Sequence, residues 1–188
     1  RYMLEANFAY NGTENFAKGH RFGFFPAFSL GWILTEEKFI PKNDIVTYAK
    51  IRGSYGTLGN QNIGSDYYPT IQTLTISPIW AGENLYPIVG LNNLANEEIT
   101  WETSRMYDIG IDAAFLNKFT FTADWYHKTT DGILMQLTIP PTIGLSAPYQ
   151  NAGVVRNVGW EVALGYNDSK GDFKWGVNAN LSDVHNEI

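Results

Sequence analysis

Cysteine is absent from the 188 residues, so neither a disulfide framework nor a thiolate metal site can be built. Basic residues are in the minority, 13 Lys and Arg against 19 Asp and Glu, and the two signs are scattered along the chain. That excludes the basic stripe by which a nucleic-acid surface neutralises phosphates. No apolar run approaches the roughly 20 residues of a membrane-spanning helix. The opening Arg1-Tyr2-Met3-Leu4-Glu5 lacks the apolar centre of a secretion signal. Catalytic patterns are missing as well. His20, His127 and His185 are the only histidines, and no two stand at metal-ligand spacing. No nucleophile elbow occurs, and Gly153-Val154-Val155 does not make a phosphate loop. Asp124 with Asp131, or Glu97 with Glu98, have no nucleophile or metal-binding group beside them in the sequence. The expectation is a protein without enzymatic activity and without a cofactor.

What the chain does have is aromatic residues (15%), 18 glycines and an alternation of period two. In Phe119-Thr120-Phe121-Thr122-Ala123-Asp124-Trp125-Tyr126, one face carries Phe119, Phe121, Ala123 and Trp125, the other Thr120, Thr122, Asp124 and Tyr126. The preceding stretch sets Tyr107, Ile109, Ile111, Ala113 and Phe115 against Asp108, Gly110, Asp112 and Ala114, and Leu116-Asn117-Lys118 joins the two as a hairpin. Trp160, Val162, Leu164 and Tyr166 alternate in the same way. After a turn over residues 168–172 come Phe173, Trp175, Val177, Ala179 and Leu181. Tyr2, Leu4, Ala6, Phe8 and Tyr10 begin the series, and residues 22–34 and 47–57 complete it less cleanly. Pro26 argues against a central position for its strand, because it removes a ladder donor. Each of the seven segments has about the 10 residues a tilted transmembrane strand needs.

A soluble β-sandwich also buries one face of each strand, so alternation alone does not choose. Three features favour a membrane barrel. The apolar faces begin or end in aromatics. The opposite faces are rich in Gly, Asn and Asp. Connections alternate between short (116–118, 168–172) and long (12–21, 58–100, 131–155), as periplasmic turns and external loops do. The connector 35–46 then falls on the periplasmic side, with Thr35-Glu36-Glu37 as a short helical start. The expected fold is all-β, an antiparallel transmembrane β-barrel segment of about seven long strands with short periplasmic turns and long extracellular loops. Whole bacterial barrels usually end on an aromatic residue, and Ile188 is not one. Residues 1–188 are therefore expected to be part of a larger barrel.

Five stretches, in order, carry a resemblance. Gly23-Phe24-Phe25-Pro26-Ala27-Phe28-Ser29-Leu30-Gly31-Trp32 is one, with Ala27 where Ser is usual. Lys50-Ile51-Arg52-Gly53-Ser54-Tyr55-Gly56 leads into the long loop, and Ile99-Thr100-Trp101-Glu102-Thr103 leaves it. Tyr126-His127-Lys128-Thr129-Thr130-Asp131-Gly132-Ile133-Leu134 follows, then Asn151-Ala152-Gly153 with Asn157-Val158-Gly159-Trp160-Glu161. Together they resemble the C-terminal half of the barrel in SusC/RagA-type TonB-dependent transporters of the bacterial outer membrane. The resemblance implies a plugged barrel of about 22 strands that takes up oligosaccharide or peptide. It further implies coupling to the TonB complex through an N-terminal part outside this sequence, a SusD-like surface lipoprotein as lid, and outer-membrane lipid around the wall. The long loop carries Tyr67, Tyr68, Trp80 and Tyr86 among amides and glycines. Aromatic faces stack on sugar rings and apolar side chains, so these four are candidate substrate contacts; packing within the loop or against the lid is the alternative. Arg21, Arg52, Arg105 and Arg156 are expected to pair with lumen or plug carboxylates.

Overall fold

In the computed structural model, which describes residues 1–40, 43–64 and 68–188, seven long strands form one antiparallel sheet. They are β1 (Tyr2–Gly12), β2 (Phe22–Ile33), β3 (Val46–Asn60), β6 (Glu102–Phe115), β7 (Phe119–Asp131), β10 (Val154–Lys170) and β11 (Phe173–Glu187), each hydrogen-bonded to the next in that order. Two small hairpins stand apart in the long loops: β4 (Leu74–Ala81) with β5 (Asn84–Leu91), and β8 (Leu134–Gln136) with β9 (Tyr149–Asn151). Strand lengths exceed the expected ten. The 13 residues of β7, at about 3.3 Å each and about 40° of tilt, rise about 33 Å, more than the about 25 Å apolar band of an outer-membrane barrel. The strands continue past the band at both ends.

The register carries the sequence alternation across the whole sheet. Leu30, Ile51 and Ile111 lie in successive strands on one face, and so do Ile109, Trp125 and Trp160. Among the described residues no second sheet covers that face. Leu4, Leu30, Ile109, Leu164 and Val177 are all more than half exposed. A β-sandwich would bury these side chains between layers, so the sandwich alternative fails. A sheet that leaves such a face open needs an apolar solvent. On β11 the apolar run extends from Phe173 through Leu181, the about 9–11 residues a tilted strand needs to cross the bilayer. Asp183, His185 and Glu187 continue the same face beyond it.

The turns follow backbone chemistry. Leu116 and Asn117 take positive φ in the three-residue β6–β7 connection. The β10–β11 turn is tighter than the expected 168–172, because pairing continues to Lys170 with Phe173 and only Gly171, at φ 64°, and Asp172 remain. The helical start expected at 35–37 is a single 3-10 turn, Leu34–Glu36. Glu37 lies beyond it and ties down the strand ends instead. Its carboxylate accepts from Tyr2 Oη at 2.6 Å, Trp32 Nε1 at 2.9 Å and Arg1 Nη1 at 3.0 Å, and these donors hold its pKa below the usual carboxylate value.

Pro26 corrects the sequence expectation: β2 is flanked on both sides, by β1 and by β3. The β2–β3 ladder begins only at Ala27 with Gly56, and Pro26 pairs on its other side with Phe8. The missing N–H thus falls just past the end of one ladder, and the Pro26 carbonyl accepts from Thr57 Oγ1 at 3.0 Å.

Candidate functional site

Among the described residues, two regions apart from the Glu37 cluster and the Lys118–Asp168 pair gather polar side chains. One is the inner face of the sheet, the other the loop assembly at its external end.

On the inner face Arg52 of β3 lies among three carboxylates from the neighbouring strands. It meets Asp124 at 2.6–2.7 Å, Asp112 at 3.3 Å and Asp108 at 3.4 Å, while Lys50 approaches Asp112 at 3.8 Å. The register explains the convergence. Arg52 is opposite Gly110, and Gly110 is opposite Asp124, so the guanidinium crosses over a residue with no side chain. A Cβ on Gly110 would collide with Asp124 Oδ1 and the Arg52 guanidinium carbon. Gly159, elsewhere on this face, lets Tyr126 lie over it, and Phe25 lies against Gly59. Half-buried, charged and open to water, this surface suits the lining of an aqueous lumen. Arg52 pairs with carboxylates of this face, as expected; which carboxylates it meets was not legible in the sequence. Arg105 pairs elsewhere, with Asp131 at 2.9 Å, on the opposite face. Arg21 donates from Nε to the Phe16 carbonyl at 2.9 Å, so it is a loop fastener.

At the external end, long loops fold onto one another around Phe16, Ile63 and Ile99, all but fully buried, with Trp101, Leu134 and Tyr149 packed against them. Trp101 meets Phe16 edge-on at 5.8 Å and the inward-facing Phe25 at 5.3 Å, which brings the loop core over the lumen side of the sheet. Trp101 Nε1 donates to the Arg21 carbonyl at 3.2 Å. Glu102 accepts from the Leu134 amide at 3.2 Å and from Asn60 at 3.3 Å. Asn151 accepts from the Thr100 amide at 2.8 Å and donates to the carbonyls of Thr100 at 2.8 Å and Gly132 at 3.0 Å. The Trp-Glu and Asn-Ala-Gly stretches are therefore clasps between loops.

The described aromatic candidates, Tyr68, Trp80 and Tyr86, are not gathered into one pocket. Tyr67 lies outside the described residues. Tyr68 is half-exposed. Trp80 and Tyr86 stand on the β4–β5 hairpin, a ribbon within the stretch that the sequence reads as one long loop. Trp80 pairs with Leu85 and Tyr86 with Ile79, so the two rings are on opposite faces of the ribbon. A signal for it exists: Leu74, Ile76, Pro78 and Trp80 alternate, and so do Leu85, Pro87, Val89 and Leu91, around Gly82-Glu83. Pro78 and Pro87 hide it, yet they face each other across the ribbon. Among the described residues no three His, Asp or Glu side chains are grouped to hold a metal ion.

The fold, the open apolar face and the clasped loops agree with comparison to known proteins. The family model "TonB dependent receptor-like, beta-barrel" matches residues 1–185. The chain belongs to this family. It is 31% identical over 193 residues to the TonB-dependent receptor SusC of Bacteroides thetaiotaomicron, and 30% identical over 190 residues to the TonB-dependent receptor P3 of Formosa agariphila. Both alignments cover 100% of this chain and 19% of the relative. Among solved structures, that of the RagAB peptide transporter superposes with a TM-score of 0.86 at 23% identity, over 100% of this chain and 20% of that one. The RagAB importer in its closed-closed state gives 0.79 at 19% identity. The chain thus spans about one-fifth of the length of these relatives. The open edges of β1 and β11 suit a barrel whose other strands lie outside this sequence, and the exposed apolar face is its outer-membrane wall.

Proposed function

We propose that the chain is one sector of the wall of a TonB-dependent outer-membrane transporter for oligomeric nutrients, glycans or peptides, working with a plug and TonB-coupling part outside this sequence and a SusD-like surface lipoprotein as lid. The observation that carries this reading is one sheet with two solvents. An apolar face crosses the bilayer, while the reverse face holds the Arg52 carboxylate cluster in water. Two of the similar proteins bear on the activity and substrate class: SusC is a TonB-dependent receptor, and RagAB is a peptide transporter. In this reading the sector does no covalent chemistry. Its inner face conducts, and its clasped loops give the mouth a fixed shape.

Tyr68, Trp80 and Tyr86, with Tyr67, are proposed as substrate contacts. Because Trp80 and Tyr86 lie on opposite faces of the ribbon, at most one of the two faces a substrate in the mouth. The test is uptake by cells carrying the full transporter, with and without TonB, on defined oligosaccharides and oligopeptides. Uptake that persists without TonB refutes the transport reading. Affinity unchanged when each aromatic is replaced by Ala refutes the contact assignment alone.

A further inference from the structure

The outward face bears a groove at its periplasmic end that the transport reading does not use. It has a volume of about 700 Å³ and is lined by Phe119, Phe121, Leu164, Tyr166, Val177 and Ala179, so its walls are almost wholly apolar. The register explains its shape. Phe121, Leu164 and Ala179 form one cross-strand row, and Phe119, Tyr166 and Val177 the next. The small Ala179 leaves space beside the large rings. Phe119, Tyr166 and Trp175 pack in series at the lower end, with centroids 4.6 and 5.1 Å apart. Just below, charge begins. Tyr166 Oη donates to Asp168 Oδ2 at 2.9 Å, and Lys118 Nζ lies 2.8 Å from Asp168 Oδ1. That ion pair fixes the Lys118 ammonium beside the groove with its side chain still 47% exposed, leaving donors free. Lys170, exposed, continues the same outward row of β10 beyond Asp168.

We propose that this groove is a binding site for one glycerophospholipid of the periplasmic leaflet, with an acyl chain along Phe121, Leu164 and Ala179 and the phosphate held by Lys118 and Lys170. Three features select this occupant over a protein segment. The groove opens to the bilayer. Its polar end lies at the short turns, where the membrane meets the periplasm. The aromatic-then-lysine order is that of a membrane interface, with rings at the headgroup level and ammonium groups beyond. The inference rests on the outer-membrane reading above.

The test uses the full-length transporter, first shown to insert into bilayer nanodiscs, then titrated in detergent with dioleoylphosphatidylglycerol or with dioleoylglycerol and followed by native mass spectrometry. Each lysine near an anionic headgroup should account for about fivefold in affinity, and the two together for about 30-fold. Lys118→Gln and Lys170→Gln should each weaken phosphatidylglycerol by about that factor, and the double variant should bind it no better than wild type binds dioleoylglycerol. Ala179→Trp, which fills the groove, should abolish retention of both. The lysine variants lie outside the apolar band, so their result stands if Ala179→Trp fails to fold. Equal binding of the two lipids, or unchanged binding in the lysine variants, overturns the proposal while leaving the transport reading intact. Failure to insert overturns both.

Discussion

Asn151 offers the sharpest test of how the external loops hold their shape. Its amide makes three hydrogen bonds to backbone, at 2.8, 2.8 and 3.0 Å, and so ties the end of the long loop at Thr100 to the strand exit at Gly132. Replacement by Ala removes all three and leaves one amide and two carbonyls to find water. At about 1 kcal/mol net per bond the sum is about 3 kcal/mol. Because the site is half-buried and water can replace part of the loss, about 2 kcal/mol is expected. That corresponds to about a 30-fold rise in the exchange rate of the Thr100 amide, if the amide exchanges by local opening. The assay is hydrogen exchange by mass spectrometry on the full-length transporter, read on peptides spanning Thr100 and Gly132. Asn151→Asp is the discriminating variant. It keeps an acceptor for the Thr100 amide but sets a carboxylate oxygen against two carbonyls, so at neutral pH it should lose at least as much protection as Ala. An Asp variant that behaves as wild type, or an Ala variant with unchanged exchange at Thr100, would refute the clasp.

Gly110→Ala places a Cβ where Asp124 and the Arg52 guanidinium now sit; the ion cluster must open, at about 1–3 kcal/mol. This should lower the temperature at which the barrel loses its heat-resistant electrophoretic migration, whereas Gly90→Ala, with open space around it, should leave it unchanged. Glu37 supplies a pH dependence. Its carboxylate pKa is lowered in the fold by Tyr2, Trp32 and Arg1, so its stabilising contribution is complete above the ordinary carboxylate range and is lost as pH falls through the lowered value. Protection of the Ile33 amide, which donates to the Arg1 carbonyl at 2.9 Å, should fall with acid in the wild type more than in Glu37→Gln. An identical acid profile in the two proteins would remove Glu37 from that role.

Much of this protein is written in its local pattern. Alternation at Phe119–Tyr126 and at 107–115 fixes which side chains share a face, because a pleated strand has period two and each hairpin turn sets the register of its neighbours. The number and order of the seven long strands and the separation of an apolar from a wet face follow from that. Other features depend on residues far apart in the chain. Arg52 meets Asp124 across 72 positions, a contact that needs three strands in register and a glycine between them. Trp101, Glu102 and Asn151 are conspicuous in the sequence, yet their role as clasps is visible only when the loop at 13–21 and the loop at 132–153 are folded together. Pro26 and Pro78 mislead for the same reason. Whether a missing N–H is costly depends on which side of the strand has a neighbour at that residue, and only the assembled sheet decides it.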